Sequence, residues 1–166
     1  MKKMRKGFTL LELLVVIGVM GILGATGMVA GQEATNAARA TTIADGLEKA
    51  SAAMMMYYSD VAQGIADGTM TITATEVLAG AKAYLKDANS LEDGTSNQTE
   101  GKYCVVLGSE EDAAAKTWWV GYTFLATDTK LKAMIANKAK RMGLKATAAT
   151  TGAEYTDGAT VYMQVR

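Results

Sequence analysis

The feature that most constrains this chain is a long apolar run near its N-terminus. From Phe8 to Ala30 the sequence continues for 23 residues with a single charged side chain, Glu12. As an α-helix rising 1.5 Å per residue, this run is about 34 Å long, which is enough to cross a bilayer. The basic residues Lys2, Lys3, Arg5 and Lys6 precede it and should stay in the cytoplasm under the positive-inside rule. The sequence therefore predicts one membrane-crossing helix, with the rest of the chain outside the cytoplasm.

Two ordinary interpretations of such a run fit poorly. A secretory signal peptide has an apolar core of about 7 to 15 residues followed by a small-residue cleavage site, and this run is longer. A plain membrane anchor gives no reason for Glu12, because a carboxylate inside a membrane segment costs on the order of 3 kcal/mol even on lenient insertion scales. A third interpretation has to account for both the length and the buried carboxylate.

The ordered stretch from Lys6 to Leu23 supplies that interpretation; it reads KGFTLLELLVVIGVMGIL. It resembles the class III signal of type IV prepilins and of the pseudopilins of type II secretion and competence systems, over about the first 55 residues. The resemblance implies that a membrane aspartyl peptidase, the prepilin peptidase, cuts between Gly7 and Phe8 and methylates the new N-terminus at Phe8. Glu12 matches the glutamate at the fifth position of the mature family members.

The position of Glu12 also has a physical reading. Cleavage after Gly7 creates an ammonium group at Phe8, and residues four apart lie on one face of a helix. Opposite charges attract strongly in a low-dielectric setting, so Glu12 can neutralise an N-terminal ammonium either in its own chain or in a neighbour. The resemblance favours the second arrangement, in which Glu12 sets the register of one subunit against the next during assembly.

Glycine recurs in the same run at positions 18, 21, 24, 27 and 31. Small residues let membrane helices approach closely, and glycine lowers helix stability by roughly 1 kcal/mol relative to alanine. The chain contains no proline, whereas many pilins have one in this region that marks where the helix melts. We expect local melting between Gly21 and Gly31 in a filament.

These observations predict a structural filament subunit. The expected regions are a cleaved leader (1–7), a hydrophobic transmembrane and filament-core helix (8–31) and a pilin-like globular head (32–166). The resemblance implies storage in the inner (cytoplasmic) membrane in contact with lipid, and then an extracellular or periplasmic homo-oligomeric filament built by an assembly platform membrane protein. A type IV pilus subunit is the first interpretation, and a pseudopilin of a secretion or DNA-uptake system is the second. A monomeric, membrane-tethered binding module is the alternative from another class.

Composition argues against an enzyme. The 166 residues leave room for one domain beside the long helix, and they include no histidine and only one cysteine, Cys104. Histidine is the commonest general base and metal ligand, and one cysteine forms neither an intramolecular disulfide nor a multi-cysteine metal site. We therefore predict no catalytic residues, no cofactor and no metal, with Cys104 buried in a strand. The 17 basic and 17 acidic residues balance.

Beyond the apolar run, the pattern predicts an α+β fold. Residues spaced by three or four continue the first helix to about Asp60 as one apolar stripe: Ile43, Leu47, Ala50, Met54, Tyr57 and Val61. Thr73 and Glu76 form a capping-box pattern that opens a second helix through about Lys86, and Asp128 is placed to cap a third that ends at Gly143. Segments 102–108, 116–125 and 160–165 read as antiparallel strands, and 89–101 reads as a loop. The long helix should pack on this small antiparallel sheet.

Three further groups of residues are candidate contacts of the head. Six basic residues surround the third helix and could meet DNA phosphates or an acidic neighbour; they are Lys130, Lys132, Lys138, Lys140, Arg141 and Lys145. DNA is the less favoured of these partners. Two acidic clusters carry oxygen ligands that Ca²⁺ accepts without the spacing of a calcium loop, namely Glu92, Asp93, Asn97 and Glu100, and Glu110 to Asp112. Trp118 and Trp119 point to opposite faces of a strand, and we expect both to pack within the chain.

Overall fold

The computed structural model describes residues 8–94, 98–108, 117–149 and 152–166, with the side chain of Val29 left out. Its helices are α1 (Leu10–Ala66), α2 (Ala74–Ala83) and α3 (Thr129–Met142). Its strands are β1 (Leu91–Asp93), β2 (Tyr103–Leu107), β3 (Trp118–Thr123), β4 (Leu144–Lys145) and β5 (Thr160–Gln164), and a 3₁₀ turn at Ala88–Ser90 precedes β1. The predicted α+β fold, a long helix packed on a small sheet, is confirmed.

Helix α1 is continuous for 57 residues and passes through all five glycines of the apolar run. The melting expected between Gly21 and Gly31 concerns the filament and stays a prediction. The predicted stripe is confirmed, since Ile43, Leu47, Ala50, Met54 and Val61 are buried and Tyr57 packs half-buried against the same core. The helix ends six residues beyond the predicted Asp60, because Ile65 extends the buried stripe before Gly68 adopts a positive φ of 69°.

The sheet has the order β1-β2-β3-β5-β4, with β3 at its centre. Strand β3 pairs antiparallel with β2 and with β5, and all six of its residues are buried. Helix α1 crosses this sheet, α2 lies against β1 and β2, and α3 lies against β4. The two shorter helices therefore flank α1 at opposite edges of the sheet.

Parts of the predicted layout were wrong. The segment predicted as a loop contains β1, which pairs parallel with β2, so the sheet is mixed and only mostly antiparallel. Strand β4 was not predicted. Helix α2 ends at Ala83 rather than near Lys86, although Leu85 does pack against the core as expected. Asp128 is the residue before α3, but its side chain makes no capping hydrogen bond.

Aromatic side chains pack in the core between α1 and the sheet. Trp118 faces α1, where the ring of Tyr58 meets it edge-on at 5.2 Å between centroids and that of Tyr57 lies at 6.3 Å. Trp119 is also fully buried, and its indole Nε1 donates to Thr117 Oγ1 at 3.0 Å. The expectation that both tryptophans pack within the chain is confirmed. The C-terminal Arg166 places its guanidinium 4.2 Å from the Tyr58 ring centroid and covers the edge of this cluster.

Candidate functional site: the N-terminal helix

The first half of α1 makes no contribution to the core. Every described side chain from Phe8 to Thr35 is exposed, and the first buried residue along α1 is Ala40. Large apolar side chains are among the most exposed of the described residues, with Phe8 at 80% and Leu10 at 82%. An apolar surface of this length in a single copy needs a lipid or protein environment, because water does not solvate it favourably.

Glu12 is the only charged residue between Phe8 and Ala30, and its side chain has a local role. Its carboxylate accepts the backbone N–H of Thr9 at 2.9 Å and the Thr9 hydroxyl at 2.8 Å, while Thr9 Oγ1 accepts the backbone N–H of Glu12. This is a capping box, in which residue and cap satisfy each other's donors at the first turn of a helix. Glu12 therefore closes the N-terminus of α1 in the isolated chain.

The role of Thr9 was not predicted, although the sequence contained the signal. Thr9-x-x-Glu12 has the same spacing as Thr73-x-x-Glu76, which was recognised as a cap and forms one. The sequence-based prediction for Glu12 concerned only its charge. The consequence is that Glu12 has two separable functions to test, helix capping and charge pairing.

The predicted site residues lie together as far as the structure describes them. Gly7 lies outside the described residues. Phe8 and Glu12 line one shallow hollow of about 280 Å³ with Leu11, Val15 and Val16, so the residue predicted to be methylated and the predicted register residue share a face. The walls of this hollow are apolar, so an ionic contact made here would be strengthened once lipid or a neighbouring chain excludes water from it.

The match to known protein families falls on this same segment. Residues 2–28 match the family model for the prokaryotic N-terminal methylation motif. This segment is therefore similar to the N-terminal methylation motif of type IV pilins and pseudopilins. Searches of curated proteins and of solved structures found no match. The resemblance seen in the sequence is confirmed at the level of the motif.

One helix in the described part of the chain, α1, is long and apolar enough to cross a membrane, by length and composition. Its most apolar window of 18 residues has a mean hydropathy of 2.3, and none of that window is buried. Together with the class III signal, this helix indicates membrane anchoring before assembly.

The other predicted sites of the head have different outcomes. Of the basic group, Lys130, Lys140 and Arg141 are exposed, and Lys132, Lys138 and Lys145 are half-buried. Glu92 forms an ion pair of 3.0 Å with Lys102, and a hydrogen bond from Thr99, followed by this contact with Lys102, lowers the pKa of Glu92. Asn97 and residues 110–112 lie outside the described residues. Within the described ranges, no three acidic, histidine or cysteine residues gather as a metal site would require.

Two further features of the head are a buried thiol and an open groove. Cys104 is buried in β2, as predicted, and burial raises the pKa of its thiol to about 11, so little reactive thiolate forms at neutral pH. An open groove of about 490 Å³ lies between α1, α3 and the sheet, and Arg39, Tyr103, Tyr122 and Asp128 are among its lining residues. Desolvation raises the pKa of Tyr103 to about 12, so this phenol stays protonated at physiological pH.

Proposed function

We propose that this chain is the structural subunit of a type IV pilus or a related filament, processed by a prepilin peptidase and assembled through α1. The single observation that carries the proposal is the exposed apolar run from Phe8 to Ala30, which bears one carboxylate and coincides with the methylation motif. Packing these helices side by side would remove their apolar surface from water or lipid, and the five glycines permit close approach.

The proposed regions follow from the same observation. Residues 1–7 form the leader, 8–31 form the membrane and filament-core segment, and 32–166 form the head. Cleavage between Gly7 and Phe8 would leave the ammonium of an N-methylated Phe8 on the face that carries Glu12. A pseudopilin of a secretion or DNA-uptake system would use the same geometry, and the head contains no described feature that favours one system over the other.

The test is to shear cells that express the chain, collect filaments and determine the mass of the subunit. We expect a subunit that begins at Phe8 and carries one added methyl group, together with membrane-stored monomer in the cell fraction. A mature N-terminus near Gly31 would indicate ordinary signal-peptide removal. A correctly processed protein found only as monomer would instead support a membrane-tethered binding module.

A further inference from the structure

Charge is distributed unevenly along the head, although the whole chain is balanced. Residues 129–145 contain six basic residues and no acidic one; these are Lys130, Lys132, Lys138, Lys140, Arg141 and Lys145, referred to as the basic face. Residues 50–81 contain three acidic residues and no basic one; these are Asp60, Asp67 and Glu76, referred to as the acidic tip. Two segments of opposite charge thus belong to different elements of one fold.

The basic face lies at the end of the head that is nearest to the apolar run of α1. Lys138 donates from its Nζ to Thr41 Oγ1 of α1 at 3.1 Å, and Lys130 lines a small hollow together with Asn36. Lys130, Lys140 and Arg141 are exposed. Their positive charge is therefore available to a partner at this end of the head.

The acidic tip lies at the other end, where α1 finishes and α2 begins. Asp60 of α1 accepts a hydrogen bond from the hydroxyl of Tyr84, the residue that follows α2, and Glu76 caps the first turn of α2 with Thr73. Asp67 caps the C-terminus of α1, and the last turn of that helix has no basic residue, so the helix dipole adds to the negative charge. Asp60 and Thr41 are separated by roughly 29 Å along the helix axis.

The tip also exposes adaptable apolar side chains. Met55, Met56 and Met70 are 46%, 55% and 41% exposed, and all three belong to the segment that contains the acidic tip. Methionine side chains adjust to irregular partner surfaces because they are unbranched and flexible. This end of the head therefore combines negative charge with the contact area that a protein partner requires.

Within the described ranges, the charges of the basic face are not neutralised by an ion pair. Among the residues that the structure describes, none of the six basic side chains contacts a carboxylate within 4 Å, and the recorded ion pair joins Lys102 and Glu92 elsewhere. A folded chain with equal numbers of opposite charges could pair them internally. Here the basic and acidic segments are held apart by the length of α1.

We propose that the basic face of one copy docks against the acidic tip of a second copy, so that the partner of this surface is the chain itself. The proposal rests on the filament function proposed above. The two surfaces are different patches at separated places, so the contact is heterologous and leaves one free face and one free tip at the ends of any chain of copies. Such a contact repeats without closing and adds charge-based selectivity to the packing of the apolar helices.

Charge reversal in the full-length chain tests the contact. Variant A carries Lys130→Glu, Lys140→Glu and Arg141→Glu, and variant B carries Asp60→Lys and Asp67→Lys. The matched control carries Lys49→Glu, Lys82→Glu and Lys86→Glu, which changes charge by the same amount as variant A outside both surfaces. We expect variants A and B to form at least about tenfold fewer filaments with normal amounts of membrane-stored monomer, and the control to assemble normally.

Co-expression of variants A and B is the decisive experiment. When A and B are present together, the reversed face of A meets the reversed tip of B, and the native face of B meets the native tip of A. Filament number should recover, and the recovered filaments should contain both variants. Normal filaments from variant A alone, with or without a loss of DNA binding, would overturn the proposed contact while leaving the filament function standing. A failure of A and B together to recover would overturn it as well. Absence of filaments from the unmodified chain would instead remove the filament function.

Discussion

At the scale of single residues, Glu12 is the position where two physical roles overlap. Its carboxylate closes a capping box with Thr9 in the isolated chain, and it shares a face with Phe8, whose ammonium would appear on cleavage. A cap of this kind is worth about 1 kcal/mol. An unpaired charge buried in an apolar filament core costs several kcal/mol, so the pairing role should dominate assembly.

Replacing Glu12 with leucine separates the two roles when it is compared with Thr9→Ala. Glu12→Leu should leave cleavage intact and should favour the membrane-stored monomer by on the order of 3 kcal/mol. Filaments should nevertheless become scarce, since the Phe8 ammonium of an incoming subunit then lacks a carboxylate. Thr9→Ala removes the cap but keeps the charge and should assemble nearly normally.

The measurement is the filament count and the amount of monomer in the same cells. Equal loss in both variants would assign the defect to capping, and normal filaments from Glu12→Leu would end the register role.

At the scale of elements, the fold depends on the contact between the second half of α1 and the sheet. Leu47 is fully buried in the cluster that also contains Met54 and Val120. We expect Leu47→Ala to lower the free energy of unfolding by about 2 to 5 kcal/mol, because it removes buried methyl groups and leaves a cavity. Met55→Ala, on the exposed side of the same helix, is the control and should change it by less than about 1 kcal/mol. Chemical denaturation measures both, and equal effects would contradict the assigned orientation of α1.

The individual elements also show how much of the fold can be predicted from the sequence. Period and capping patterns identified all three helices and the strands β2, β3 and β5, because each has its own local signal. Strand β1 was missed because Glu92 and Asp93 are typical of loops, and its parallel pairing with β2 follows from the tertiary position of α2. Strand β4 has only two residues, and it is a strand because these residues pair with Met163 and Tyr162 of β5. At the site, Glu12 was found from its charge, whereas the Thr9 cap required the backbone geometry.

At the scale of the whole molecule, the head is separable from the apolar half of α1. No described residue before Ala40 belongs to the buried core, and both tryptophans lie within the head. We expect residues 32–166 alone to be water-soluble and to unfold cooperatively, with the near-ultraviolet circular dichroism spectrum of the full-length chain in detergent. The matched truncation to residues 48–166 removes Ile43 and Leu47 from the core and should unfold much more easily. A shorter fragment as stable as the longer one would contradict the assigned core.

The continuous glycine-bearing half of α1 has a mechanical consequence. In a filament under tension, load passes from subunit to subunit through these helices, whereas the head is held by side-chain packing on a sheet. The described side chains from Gly21 to Gly31 are exposed and the glycines lower helix propensity, so we expect this stretch to be the most compliant part of each subunit. Conversion of those residues from helix to extended chain would lengthen a subunit by about 20 Å without disturbing the head. Each subunit of a filament under tension would then extend through this stretch while its head stays folded.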